Sequence, residues 1–193
     1  MAAGDANMYR GRRMTIDPTV ALACRLVGAL VFATAATGKI RHRNELVGVV
    51  ANYRLLPEPL TVPVAWMIVC LETLTALLLA TGVRLEAGAA LAIALLCAFA
   101  IAMGINLARG RREIDCGCFQ SGLRQRLSVG LIMRNLLLSA ALTPLFAAAT
   151  PFVQPLQWVD GLGVGLAAYA LYKAFDQLLS LNHSSAELRK RFV

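Results

Sequence analysis

Five stretches dominate the chain: Val20–Thr37, Thr61–Thr81, Leu85–Leu107, Ser128–Ala149 and Trp158–Leu181 are long and almost wholly apolar. A hydrocarbon core about 30 Å thick is crossed by a helix of about 20 such residues. Backbone in lipid must also satisfy its own hydrogen bonds, which leaves a helical bundle as the architecture for segments of this kind. The overall balance agrees, because 58% of the 193 residues are hydrophobic and 16% are charged. Soluble chains average roughly 45–50% apolar and about 25% charged. The sequence therefore predicts an all-α, polytopic transmembrane bundle with a four-helix core and a fifth span. The fifth run differs from the others in holding Lys173 and Asp176, which at i,i+3 can pair on one helix face.

The first run also resembles a secretory signal, with Arg10, Arg12 and Arg13 before it and Ala33-Thr34-Ala35 as a cleavage-like site. Arg25 interrupts its apolar region and the basic section is long for a leader, so we read it as an uncleaved span. The net charge of +8 does not point to nucleic acid, since the 19 Lys and Arg lie at helix ends and in short loops. They suit a membrane surface.

Residues 1–19 read as a polar tail, 20–150 as a four-helix membrane domain, 151–181 as the fifth helix and 182–193 as a basic C-terminal tail. Between the first two spans, "NELVGVVANYRLLPEPL" carries apolar positions at helical spacing up to Leu56. It predicts a short interfacial or re-entrant helix stopped by Pro57 and Pro59. Thr81-Gly82 and Arg84 mark a tight turn, while Pro144, Pro151 and Pro155 break the chain before the last helix. With five spans, the 1–2 loop, the 3–4 loop and the C-terminal tail share one side. That side carries most of the Lys and Arg, so the positive-inside rule places it in the cytoplasm. Persistent disulfide chemistry belongs to oxidising compartments. The two indications oppose each other.

The 3–4 loop contains Cys116-Gly117-Cys118, two of the five cysteines. A thiol reacts as its thiolate, which neighbouring cations favour. Arg111, Arg112, Arg124 and Arg126 flank the pair, with Glu113 and Asp115 acting the other way. A disulfide across one residue closes a small, strained ring of the kind suited to exchange. Gly117 supplies the backbone freedom it requires. Two unreactive reduced thiols are the plainer alternative. Metal binding is a third, and it lacks ligands: only His42, Glu113 and Asp115 are near, and neither a His-x-x-His nor a second cysteine pair is present,. We predict no metal site. Cys24, Cys70 and Cys97 fall within spans, Cys70 and Cys97 about 14 Å deep, and read as packing residues.

Polar groups inside spans are expensive and functional by default. Lys39 ends the first span, Glu72 lies mid-way along the second, Asn106 ends the third, and Arg134-Asn135 lie about two turns into the fourth,. All but Glu72 fall near the cysteine side. Glu72 with Lys39 or Arg134 is the expected ion pair, serving either helix packing or a pocket for a quinone head group, a proton or a partner's residue. Arg25 is expected to snorkel to the opposite interface.

"ATGKIRHR", "CLETLTALLLATG", "GRREIDCGCF" and "LIMRNLLL", taken together over about residues 20–150, resemble the methylamine-utilisation MauE family within the wider DoxX-like membrane proteins. Gln120 stands where that family has glycine after Cys-Gly-Cys-Phe, with Gly122 nearby to take the turn. The resemblance implies a multi-pass protein of the bacterial inner membrane. It would support disulfide formation in a maturing partner, such as the methylamine dehydrogenase small subunit, beside a thioredoxin-like companion of the MauD kind. By that resemblance Cys116 and Cys118 are the redox pair, and Lys39, Glu72, Arg134 and Asn135 are the motif positions beside it. The helical core with thiols leading into span four is also similar to vitamin K epoxide reductase. Residues 38–60 hold no cysteine, however, so electrons must come from another protein or a carrier such as a quinone.

The expected function is thiol–disulfide exchange with a protein partner. Cys118, further from Glu113 and Asp115, is slightly favoured as the attacking thiol. A non-catalytic assembly or chaperone subunit, and a carrier of copper or another thiophilic metal, are the alternatives.

Overall fold

The computed structural model describes residues 17–111, 113–117, 126–146 and 155–191, with the side chains of the last segment described over 158–178. Six α-helices run in chain order: α1 Pro18–Arg41, α2 Arg43–Asn52, α3 Thr61–Thr81, α4 Leu85–Ala108, α5 Val129–Leu142 and α6 Pro155–Arg191. Four segments are long and apolar enough to cross a membrane: Pro18–Arg41, Glu58–Thr81, Leu85–Ala108 and Val129–Phe146. The protein is an all-α, polytopic helical membrane protein.

Local chemistry sets the helix ends. Asp17 caps α1 by accepting from the Thr19 amide at 2.8 Å, with Pro18 in the first turn, where its missing N–H removes no bond. Gly82 closes α3 in the left-handed conformation at φ 72°, the usual role of glycine just past a helix. The interfacial helix predicted as far as Leu56 is present but shorter. α2 ends at Asn52, Arg54 turns to φ 48°, and Pro57 begins a 3-10 turn at Glu58–Leu60. Proline biases the residue before it away from helix, so Leu56 could not continue the turn. The run read as one span from Ser128 to Ala149 also changes character. Regular α-helix stops at Leu142, and Thr143–Phe146 is 3-10, because Pro144 cannot donate to the ladder.

Packing rests on small residues that let backbones approach closely, as lipid-embedded interfaces require. Ala29, Ala76, Ala89 and Ala92 are buried beside Phe32, Leu79, Leu96 and Leu142 in the main core. On α6, a Cβ at Gly165 would lie 2.8 Å from Leu26 and 3.3 Å from the Ala23 backbone, and one at Gly161 would lie 2.5 Å from Leu22. Gly163, between them, meets nothing. α6 therefore lies against α1 on one glycine face. Its opposite face exposes Val159, Leu162, Leu166, Leu171 and Leu178.

Charge then locks what the small residues align. Lys39 Nζ donates to both carboxylate oxygens of Glu72, at 2.7 and 2.9 Å, joining α1 to α3. Side chains lean toward the N-terminus of their own helix. In antiparallel α1 and α3, the lysine stem and the glutamate therefore lean toward each other. Arg134 of α5 pairs with Asp176 of α6, and Arg134 lies 5.9 Å from the centroid of the Tyr172 ring. By spacing, Asp176 can also pair with Lys173 on its own helix. The Arg134 ion pair shows the carboxylate turned inward to a neighbouring helix. Arg25, expected only to snorkel, also donates to the Ala80 carbonyl at 3.2 Å and lies 5.9 Å from the Trp158 ring centroid, so it caps the end of α3.

Two outcomes test this packing. Glu72→Gln strands the Lys39 charge and should destabilise the bundle by about 3–5 kcal/mol, whereas Lys39→Met/Glu72→Leu should recover most of that loss; thermal melting in detergent measures both. Gly165→Leu overfills the α1–α6 contact and should cost about 1–3 kcal/mol, while Gly163→Leu should melt close to the parent protein.

Candidate functional site

α4 ends at Ala108, and Gly110 at φ 74° turns the chain out of the helix. Arg111 folds back so that its guanidinium donates to the Asn106 side-chain oxygen at 3.3 Å. Asn106 Nδ2 donates to the Ala102 carbonyl at 3.1 Å. Asn106 is fully buried. It thus anchors the loop's first residues from within α4. Its reach ends there, and the Lys39–Glu72 contacts are made without it.

The far end of the loop is tied back as well. Asp115 and Arg126 form an isolated antiparallel bridge, and the Leu127 amide donates to the Ile114 carbonyl at 3.1 Å. Arg126 pairs with Glu113 at 2.7 Å. The flanking arginines were read as thiolate-stabilising cations. Arg111 and Arg126 also hold the loop's two ends, through Asn106 and Glu113, while Arg112 and Arg124 lie outside the described residues. Cys118, the other half of the expected redox pair, also lies outside them.

Cys116 is half-buried. It packs against a cluster built on Met103, Leu127 and Leu131, with Tyr53, Phe99 and Ile114 alongside. Phe99 of this cluster also stands beside the ion pair, with Lys39 Nζ 5.5 Å from its ring centroid. The contacts run from the loop thiol through an apolar layer to a lysine–glutamate pair, with Lys39 5% and Glu72 1% exposed. The expected Glu72 partners are thus resolved in favour of Lys39. Arg134 and Asn135 face a different neighbourhood. Arg134 binds Asp176, and Asn135 is buried with its Nδ2 lacking a hydrogen-bond partner among the described residues. The sequence grouped Lys39, Glu72, Asn106, Arg134 and Asn135 as one cluster. The contacts among them are an α1–α3 pair, an α5–α6 pair and a loop anchor.

The other cysteines are spread through the bundle. Cys97 Sγ lies 3.9 Å from Ser139 Oγ, Cys24 lines an apolar cavity, and Cys70 is exposed on α3. Cys70 was read as a packing residue, and its outward position makes it a lipid-facing one. The cavity, about 280 Å³, is bounded by α1, α4, α5 and α6, with Phe32, Leu96, Leu138 and Val164 in its wall. None of the five intramembrane polar residues lines it. The Lys39 and Glu72 groups bind each other away from this cavity. Among the described residues no three His, Cys, Asp or Glu side chains converge as a metal cage. Tyr53 and Phe99 were missed by sequence reasoning. Tyr53 had only its helical spacing to mark it, and Phe99 had no mark within an apolar run.

Comparison with known proteins follows the same segments. The chain matches the family described as "Methylamine utilisation protein MauE" over residues 17–149. It is 41% identical over 171 residues to the "Methylamine utilization protein MauE" of Paracoccus denitrificans, covering 86% of this chain and 91% of that one. The protein of that name from Methylorubrum extorquens is 41% identical over 80% of this chain and 82% of its own. The one from Methylophilus methylotrophus is 38% identical over 93% and 90%. No solved structure matches. A multi-pass helical bundle whose matched region holds the Lys39–Glu72 pair and the Cys-Gly-Cys loop is thus accounted for, and the chain belongs to the MauE family.

Proposed function

We propose that this chain acts in methylamine utilisation as a membrane thiol–disulfide exchange protein, with Cys116 and Cys118 as the exchanging pair. The observation that carries the reading is the placement of Cys116. Its thiol sits half-buried in a tethered loop, on an apolar layer that separates it from a buried ion pair. The loop is presented at the ends of α4 and α5.

The chemistry needs no further group on this chain. A thiolate of the pair attacks a partner's disulfide, one S–S bond breaks as a mixed disulfide forms, and a partner thiolate leaves. The second cysteine displaces the other partner sulfur. The pair is then joined and the partner holds two thiols. Run backwards, the same steps oxidise the partner and return two electrons to the pair. Resetting requires a second redox protein, and a thioredoxin-like companion of the MauD kind supplies the matching dithiol or disulfide. The host is the bacterial inner membrane, with α6 as a fifth crossing laid against α1. The exposed Arg41, Arg43, Arg54 and Arg109 on the cysteine side suit a partner or headgroups of negative charge.

In glutathione buffers of increasing oxidising power, maleimide labelling of Cys116 and Cys118 should fall together. Labelling of Cys24, Cys70 and Cys97 should stay constant. Mass spectrometry of the alkylated protein reads all five sites. Constant labelling of the pair across the series would reject exchange. Full methylamine growth by a Cys116→Ser/Cys118→Ser strain would assign the protein to a non-catalytic assembly role instead.

A further inference from the structure

α2 is a ten-residue helix whose outer face is exposed and whose inner face divides its contacts. Leu46, 3% exposed, docks it on Ala65 and Val69 of α3. One turn on, Val49 and Tyr53, the residue after the helix, stand at i,i+4 and meet the cysteine loop. Tyr53 Oη donates to the Cys116 carbonyl at 3.1 Å. Gly117 adopts φ 72°, and a Cβ there would lie 2.8 Å from Val49 Cγ1. Two independent contacts, one polar and one steric, thus bear on adjacent residues of the same turn.

We propose that Val49 and Tyr53 form a seat that fixes the Cys116-Gly117 turn, and that Tyr53 is a positioning residue for the Cys116 thiol. The inference rests on the exchange function proposed above and names what tunes it. Turning the Cys116–Gly117 peptide plane, through ψ of Cys116 and φ of Gly117, swings the Cys116 carbonyl and redirects the chain that follows. The tyrosine hydroxyl holds the carbonyl, and Val49 leaves only a glycine-sized space at the next residue. A disulfide ring with one intervening residue tolerates few backbone conformations, so fixing the turn beforehand lowers the conformational entropy lost on closure. The seat belongs to α2 and not to the loop. Because α2 follows α1 directly after His42, its position depends on the helix that Lys39 pins to α3.

The test uses the full-length protein in nanodiscs, with the pair equilibrated against glutathione, acid-quenched, alkylated and quantified by mass spectrometry. Tyr53→Phe keeps the ring in its cluster and removes only the hydroxyl. It should shift the equilibrium toward the dithiol by a few-fold, bounded by the roughly tenfold worth of one net hydrogen bond, with the protein still melting cooperatively within a few degrees of the parent. Gly117→Ala should shift it the same way, and Gly117→Ala/Val49→Ala should return part of the shift by removing the clashing methyl. A pair that cycles with glutathione but is indifferent to Tyr53→Phe and Gly117→Ala would overturn the seat and leave the exchange function standing. A wild-type pair that fails to respond at any glutathione ratio would overturn that function and the seat with it.

Discussion

The bidentate contact between Lys39 and Glu72 is the constraint on which the rest of the bundle depends. Either charge alone in a hydrocarbon interior would be untenable, and together they hold only if the two helices keep one register. That register fixes where α1 ends, which fixes where α2 begins. Through Leu46, Val49 and Tyr53 it also fixes how α2 lies against α3 and the cysteine loop. A pair buried some way into the membrane thereby governs a thiol at its edge. Phe99 lies between them, touching the cluster beneath Cys116 and standing near the lysine ammonium.

The same device appears a second time between α5 and α6. Glycines 161 and 165 set α6 against α1, and Arg134 with Asp176 joins it to α5. Small residues provide proximity and a single ion pair provides specificity, a division of labour suited to lipid. Apolar burial discriminates weakly there, because the solvent is itself apolar. α6 also leaves Leu162, Leu166, Leu171 and Leu178 exposed on its outer surface. The small residues that let helices meet also leave room where larger ones would fill, as at the cavity walled by Phe32, Leu96 and Val164.

The sequence made the spans legible because their signal is local and strong. Thr61–Thr81 is the observed α3 to the residue, and Leu85–Leu107 falls one short of α4. Errors arose where a single residue overrides a pattern. Pro144 converts the end of the fourth span to 3-10 helix, and the turn through Arg54 ends α2 before Leu56. Ion-pair choice was legible in type only. Glu72 announced that it needed a cation, but whether Lys39 or Arg134 answered depended on which helices neighbour which, a tertiary fact. The Arg134 contact of Asp176 is hidden in the same way, because the two lie on different helices and far apart in the chain. Tyr53 was silent because a tyrosine on an interfacial helix is ordinary until its hydroxyl is seen on Cys116. Cys116 stood out in the sequence as one of two thiols around a glycine in a charged loop, and the structure adds the apolar cluster it packs on.

The central claim is that this loop exchanges sulfur bonds with a visiting protein, and covalent trapping addresses it most directly. In cells producing Cys116→Ser or Cys118→Ser, the remaining thiol has no resolving neighbour. At least one of the two variants should accumulate an adduct with another protein that migrates separately on a non-reducing gel and disappears with dithiothreitol. The Cys116→Ser/Cys118→Ser protein should form none. Absence of an adduct from both single variants, or the same adduct in the double variant, would contradict the account.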